Sequence, residues 1–216
     1  MDIDFSAITE HQRYKLMASL IVPRPIALIT TVNADGVVNA APFSMFNMLG
    51  EEPPIVMVSI NRLQDGLMKH TAANIVRSRE FVVHLPDEAM AEQMHRCGDN
   101  FPADVSELAA VGLTPVPSKH VAPPRIAEAP VAFECTLYEL LETTSRQIFI
   151  GQVRSLHARE GLIDTELWRV RLQNYFPVGR FGASFYVNTR DRFSIDSKNT
   201  GAENTAASHS TAIDEI

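Results

Sequence analysis

The feature that most constrains this chain is a pair of short runs joined by a turn. Pro23-Arg24-Pro25-Ile26-Ala27-Leu28-Ile29-Thr30-Thr31 leads into Asn33-Ala34-Asp35-Gly36. The chain then returns through Asn39-Ala40-Ala41-Pro42-Phe43-Ser44-Met45-Phe46-Asn47. Residues 26–32 are apolar and β-branched, as a strand requires. Gly36 tolerates positive φ, and Asn and Asp bond to their own backbone, so 33–36 reads as a turn and 37–43 as the antiparallel partner. The return strand ends in small and hydroxylated residues where an apolar core strand would continue. Such residues let a flat molecule approach the backbone, and free amides and hydroxyls can hydrogen-bond its edge.

The remaining pattern extends the same architecture. Residues 55–60, 80–85, 131–141 and 147–157 read as strands, with a last one near 168–172. Helical spacing appears over 10–20, 66–77 and 87–97, and a short helix over 106–111. Between Asn100 and Pro130 the chain is punctuated by Pro115, Pro117 and Pro123-Pro124 and reads as an ordered excursion or lid. Many strands, tight turns and few helices predict a mainly β, antiparallel barrel with peripheral helices. A doubly wound sheet is disfavoured: no Gly-x-Gly-x-x-Gly or Walker A loop is present, and Gly179-Arg180-Phe181-Gly182 has the wrong spacing.

Composition excludes several partners. At 216 residues the chain can bury a full core, as one generous domain or two small ones. A net charge of -7 argues against a nucleic-acid surface and against an anionic membrane. Cys97 and Cys135 form neither a metal motif nor a disulfide framework, and no other set of metal ligands stands out. The acidic start lacks the features of a signal peptide, and no run is long enough to span a bilayer, so a cytoplasmic protein with reduced thiols is expected. After Arg192 few apolar residues remain, so residues 10–193 are expected to form the domain and 194–216 a flexible C-terminal tail.

The ordered set Arg-Pro-Ile-Ala-Leu-Ile-Thr-Thr, Asp-Gly, Asn-x-Ala-Pro-Phe-Ser-x-Phe, Glu-Pro-Pro, Lys-x-Thr-x-x-Asn-Ile, Glu-Phe-Val-Val and Glu-Cys resembles the flavin reductase-like family. The resemblance runs over about 13–193. It implies a split β-barrel, antiparallel and Greek-key-like with peripheral helices. It also implies a homodimer with non-covalent FMN near the interface, and NADH or NADPH as hydride donor. Pro177-Val178-Gly179-Arg180-Phe181-Gly182 and Tyr186 resemble the family's closing segment, which lies near the flavin or the partner subunit. Two positions depart from the pattern: His70 stands where the family often has Asp, and His84 where it often has Asn.

FMN requires a flat slot, polar groups for the edge of its ring and a cationic or amide-rich cup for its phosphate. Asn39, Ala41, Pro42, Ser44, Phe46 and Asn47 are the candidates for slot and edge. The same stretch also reads as an ordinary barrel strand ending in a polar turn; the whole ordered pattern favours the ligand. Lys69, Thr71 and Asn74, at the start of a predicted helix, are the candidates for the cup, completed by Ser59 and Arg62. Arg24, held between two prolines, could reach the cofactor phosphate or a substrate carboxylate, or lie exposed. No catalytic side chain is expected, because the flavin carries the hydride chemistry and the protein orients it. The expected function is NAD(P)H-dependent flavin reduction with a small-molecule substrate, the electrons passing to an unidentified acceptor. Two alternatives are an FMN-binding electron-storage or sensor protein without turnover, and a component that supplies reduced flavin to a separate monooxygenase.

Overall fold

Local chemistry sets the first elements of the computed structural model, which describes residues 1–193. The predicted tail at 194–216 lies outside the described residues. Thr9 and Gln12 form a reciprocal cap, with the Thr9 amide donating to Gln12 Oε1 at 2.8 Å, and start α1 (Glu10–Leu20). A two-residue strand β1 (Arg24–Pro25) precedes β2 (Ala27–Val32) and β3 (Val38–Phe43). Between β2 and β3, Asn33 Oδ1 accepts the amides of Asp35 and Val37 at 2.9 and 2.8 Å, and Gly36 sits at φ 84°. This is the predicted turn, closed by its own side chain.

Next come β4 (Phe46–Glu51), β5 (Pro54–Asn61), α2 (His70–Ser78) and β6 (Glu80–Leu85). Strand β4 is not among the predicted strands, because only Phe46 of it is buried and its alternation is absent. The helix expected over 87–97 is divided into a 3₁₀ turn, Glu88–Met90, and α3 (Ala91–Arg96). The excursion holds α4 (Glu107–Val111) and a two-stranded ribbon of β7 (Pro115–Val116) and β8 (Arg125–Ile126). Two long strands follow, β9 (Val131–Glu142) and β10 (Arg146–Ala158). The chain then forms a small hairpin of β11 (Ile163–Asp164) and β12 (Arg169–Val170), and finally β13 (Gly179–Gly182) and β14 (Phe185–Val187).

Seven strands form one antiparallel sheet in the order β3-β2-β6-β9-β10-β5-β4. The sheet curls until β3 approaches β5 without closing the ladder, which makes the expected split barrel. β1, β13 and β14 form a separate three-stranded patch. Strand β2 is buried along nearly its whole length because both of its faces are covered. Ala27 and Ile29 join Phe43, Ile60, Phe81 and Phe149 inside the barrel, while Leu28 packs outward against Met90, Met94 and Leu108. Polar side chains caught between the layers are paired: Thr30 Oγ1 donates to the Pro124 carbonyl at 2.6 Å and Asn74 Nδ2 to Thr31 Oγ1 at 3.0 Å. Among the described residues no helix is long and apolar enough to cross a membrane.

Candidate functional site

Helix α1 buries only Ala18, so its polar face is free to wall an open cavity of about 650 Å³. His11, Tyr14, Lys15 and Ala18 recur at helical spacing on that wall. The end of β3 supplies Pro42, Phe43 and Ser44, β1 supplies Arg24, the end of α3 and its loop supply His95 and Asp99, and the closing hairpin supplies Arg180 and Tyr186. The volume lies within the range of about 300–1,000 Å³ usual for small-molecule sites. Arg24 is buried. Its guanidinium donates to the carbonyls of Ala18 and Ile21, the latter at 2.7 Å, and to Ser44 Oγ at 3.4 Å. Burial, with Arg180 adding to it, lowers the Arg24 pKa against an opposing effect of Tyr14. Tyr186 accepts or donates a 2.8 Å hydrogen bond at His95 Nδ1, and the two rings meet edge to face.

A cationic cup lies beside this cavity. The Ser59 amide donates to the Met45 carbonyl at 2.8 Å, which sets the end of β5 next to the residue after Ser44. Arg146, at the start of β10, donates to the Ser59 carbonyl at 3.4 Å and stands 5.8 Å from the ring of Tyr14. Lys69 is the N-cap of α2, and no side chain caps that helix end. Its first amides are therefore open to an anion, and the helix dipole favours one. Burial, and then the charge of Arg146, lowers the pKa of Lys69. Two cations brought so close are what a phosphate would relieve. Arg62 is turned to other partners: it pairs with Glu142 at 2.8 Å and donates to the Gly66 carbonyl at 3.4 Å.

The other candidates stand elsewhere, three of them in the joint between β3 and α2. Asn39 Nδ2 donates to Thr71 Oγ1 at 3.0 Å, and both residues are buried, as is Asn74. Asn39 and Asn74 line a small pocket of about 90 Å³ together with His70 and Glu107. Burial raises the Glu107 pKa, opposed by the Ala40 amide that donates to its Oε2 at 2.8 Å. Ala41 packs against the barrel core, and Phe46 is part of it. Asn47 is exposed, with its Oδ1 accepting the Met48 amide at 2.9 Å. The structure thus brings Arg24, Pro42 and Ser44 to the large cavity and sets Ser59 and Lys69 about Arg146, while Arg62 is spent on Glu142. Asn39, Thr71 and Asn74 sit between barrel and helix.

Tyr14, Lys15 and Arg146 were not among the sequence candidates. The 11, 14, 15, 18 spacing on α1 was a usable signal for the first two. Arg146 carried none, since it follows a polar turn and meets its neighbours only through the sheet. Cys97 is buried, and burial reinforced by Glu107 pushes its thiol up to about 12, so it stays protonated at neutral pH. His84 is removed from both cavities, buried between β2, β6 and β8.

Residues 17–175 match the model of the flavin reductase like domain. The 2-nitrobenzoate 2-nitroreductase NbaA of Pseudomonas fluorescens superposes with a TM-score of 0.84 at 37% identity, covering 94% of this chain and 99% of that one. The nitrilotriacetate monooxygenase component B of Bacillus cereus superposes with a TM-score of 0.85 at 32% identity, covering 90% and 98%. A protein of Aquifex aeolicus is 40% identical over 174 residues, covering 81% of this chain and 88% of its own length.

Proposed function

The chain belongs to the flavin reductase-like family, and on that premise we propose that it is an FMN-binding oxidoreductase that takes hydride from NADH or NADPH and passes the electrons to a small-molecule acceptor. The observation that carries this reading is Arg146, which touches Tyr14 on the cavity wall and Ser59 in the cup and lies within electrostatic reach of Lys69. A planar ring beside Pro42 and Ser44 and a phosphate at the start of α2 would then belong to one continuous site.

The residues present fit the group. Lys69, Arg146 and the uncapped amides of α2 would hold the phosphate, with Ser59 closing the cup. Pro42 and Ser44 offer a flat contact and a hydroxyl for the ring and its edge. Bound FMN supplies the hydride acceptor; the protein's part is orientation and charge. Arg24 bonds to Ser44 Oγ and so fixes which way that hydroxyl is turned. Amides near Ser44 would favour the charge that builds at the ring edge on reduction.

We infer a homodimer as the active unit, because β4 is an edge strand that leaves Met48 and Leu49 exposed at 62% and 51%. A monomeric mass in solution overturns that part.

The test of function is an anaerobic absorbance spectrum of the purified chain with FMN, before and after NADH or NADPH. Flavin bands that survive gel filtration and bleach with either nucleotide support the reading. Retained flavin that neither nucleotide bleaches selects the storage or sensor alternative. Nucleotide consumption that needs freely exchanging FMN selects the supply of reduced flavin to another enzyme. Absence of any FMN uptake overturns the assignment.

A further inference from the structure

The large cavity carries more positive charge than its neighbours neutralise. Arg24 and Arg180 are register partners across β1 and β13, so two guanidinium groups rise from adjacent strands. Like charges placed opposite one another destabilise a sheet. Among the described residues neither enters an ion pair, and nor does Lys15 on the facing helix. The partners of Arg24 are all neutral: two carbonyls and the Ser44 hydroxyl. Arg180 donates to the Ala183 carbonyl and lies 4.8 Å over the ring of Tyr186. Asp99 is the single carboxylate among the described lining residues, against three permanent cations, in a chain whose net charge is -7. The excess is therefore local and runs against the composition.

We propose that this cavity holds an oxyanion subsite, separate from the phosphate cup at α2, which takes the carboxylate or phosphate of a second, planar ligand. Arg180 is its specificity-determining residue. Stacked on Tyr186, it keeps donors unspent, and a guanidinium fork matches a carboxylate or phosphate edge. Lys15 adds charge from the opposite wall. Planarity follows from the lining: Tyr14, His95 and Tyr186 present flat faces, and the 2.8 Å bond between His95 and Tyr186 fixes two of them. The proposal rests on the flavin reading only in naming the ligand's role. The anion belongs either to the electron acceptor, as an organic carboxylate, or to the hydride donor, as a nucleotide phosphate.

Calorimetry on the full chain, with and without FMN, separates these cases. Benzoate is compared with benzamide, and nicotinamide mononucleotide with nicotinamide riboside. At least one anionic member is expected to bind about tenfold tighter than its counterpart. A benzoate preference assigns the subsite to the acceptor, and a mononucleotide preference to the donor. Arg180→Gln is expected to reduce the preference to about threefold or less, with Arg180→Lys keeping part of it, and FMN affinity changing by no more than about threefold. Lys15→Gln, on an exposed helix face that the fold does not need, is expected to lower the same preference in part. No anionic preference in either pair, or one that survives Arg180→Gln, overturns the proposal. So does a loss of FMN affinity of about tenfold or more in Arg180→Gln, which would place the arginine in the flavin cup. If the chain takes up no FMN, the flavin reading fails on that titration alone, and the benzoate comparison on the flavin-free chain still decides the subsite.

Discussion

The Ile126 amide donates to Nε2 of His84 at 3.0 Å, which leaves the imidazole proton on Nδ1, aimed at the Leu28 carbonyl 2.9 Å away. One neutral tautomer thus ties β2, β6 and β8 together. Burial lowers the His84 pKa from 6.5 to about 4, with Arg125 adding to it and the Leu28 carbonyl opposing it. The folded state therefore binds fewer protons than the unfolded state between those values. The stability is complete above about pH 6.5 and is lost as pH falls toward 4, by on the order of 3 kcal/mol. Urea unfolding at pH 7.5 and 4.5 should show the loss in the wild type. His84→Asn should be weaker than the wild type at pH 7.5 and should close much of that gap at pH 4.5. A gap of the same size at both pH values would remove His84 from the acid response.

Gly151 should tolerate no side chain. A Cβ built there lies 2.3 Å from Phe81 Cζ and 3.3 Å from Cys135 Cβ, both in the barrel core. The ladder is also irregular between Ile150 and Gly151. Gly151→Ala should cost about 1–3 kcal/mol of overpacking, read as a shift of the urea midpoint. Phe81→Leu, although destabilising alone, should recover part of that loss in the double variant. Simple additivity of the two losses would mean that Phe81 is not the obstacle.

These two sites show which parts of the fold were legible. The turn at Asn33–Gly36 and the limits of α1 and β6 are decided by neighbours in sequence, through side-chain caps and β-branched runs, and the structure has them where the pattern puts them. Strand β4 was hidden because its partner β5 and the reversal at Ser44 and Met45 define it, not its own alternation. The β13–β14 hairpin was hidden because Gly179-Arg180-Phe181-Gly182 has little strand propensity and pairs with Arg24-Pro25 from the far end of the domain. The site divides in the same way. Pro42, Ser44, Ser59 and Lys69 are candidates that local motifs alone can nominate. Tyr14 and Arg146 acquire their roles only when α1, β5 and β10 meet. His84 could not be assigned from sequence, since an isolated histidine in an apolar strand leaves both its partners unnamed.

Glu134 should be worth more to stability than its place in an apolar strand suggests. It is buried and accepts the amides of Lys119 and His120, the latter at 2.7 Å, with Arg125 Nε 3.6 Å from its other oxygen. The carboxylate thereby pins the loop between β7 and β8 to the barrel. Glu134→Ala should cost about 3–5 kcal/mol, because it removes the acceptor of two part-buried amides and leaves a largely buried arginine without its counter-charge. Glu134→Gln should cost less, keeping one acceptor oxygen. Hydrogen exchange at Lys119 and His120 should accelerate in both variants. A wild-type urea midpoint for Glu134→Ala would show that water replaces the carboxylate without loss.

Arg146 and Lys69 make a prediction specific to the phosphate. Both are part-exposed side chains near the mouth of the cup, so replacing either with Gln should leave the fold intact. Each replacement should weaken FMN by about tenfold, the worth of one charge-assisted contact. Riboflavin has the same ring and no phosphate, so its affinity should hardly move. The ratio of the two affinities, measured by quenching of flavin fluorescence, should therefore collapse in each variant and fall with added salt in the wild type. A ring-binding role for Arg146, acting through Tyr14 5.8 Å away, would instead weaken FMN and riboflavin alike. Equal losses would move the phosphate away from Lys69 and Arg146 and break the continuity of cup and cavity on which the flavin reading depends.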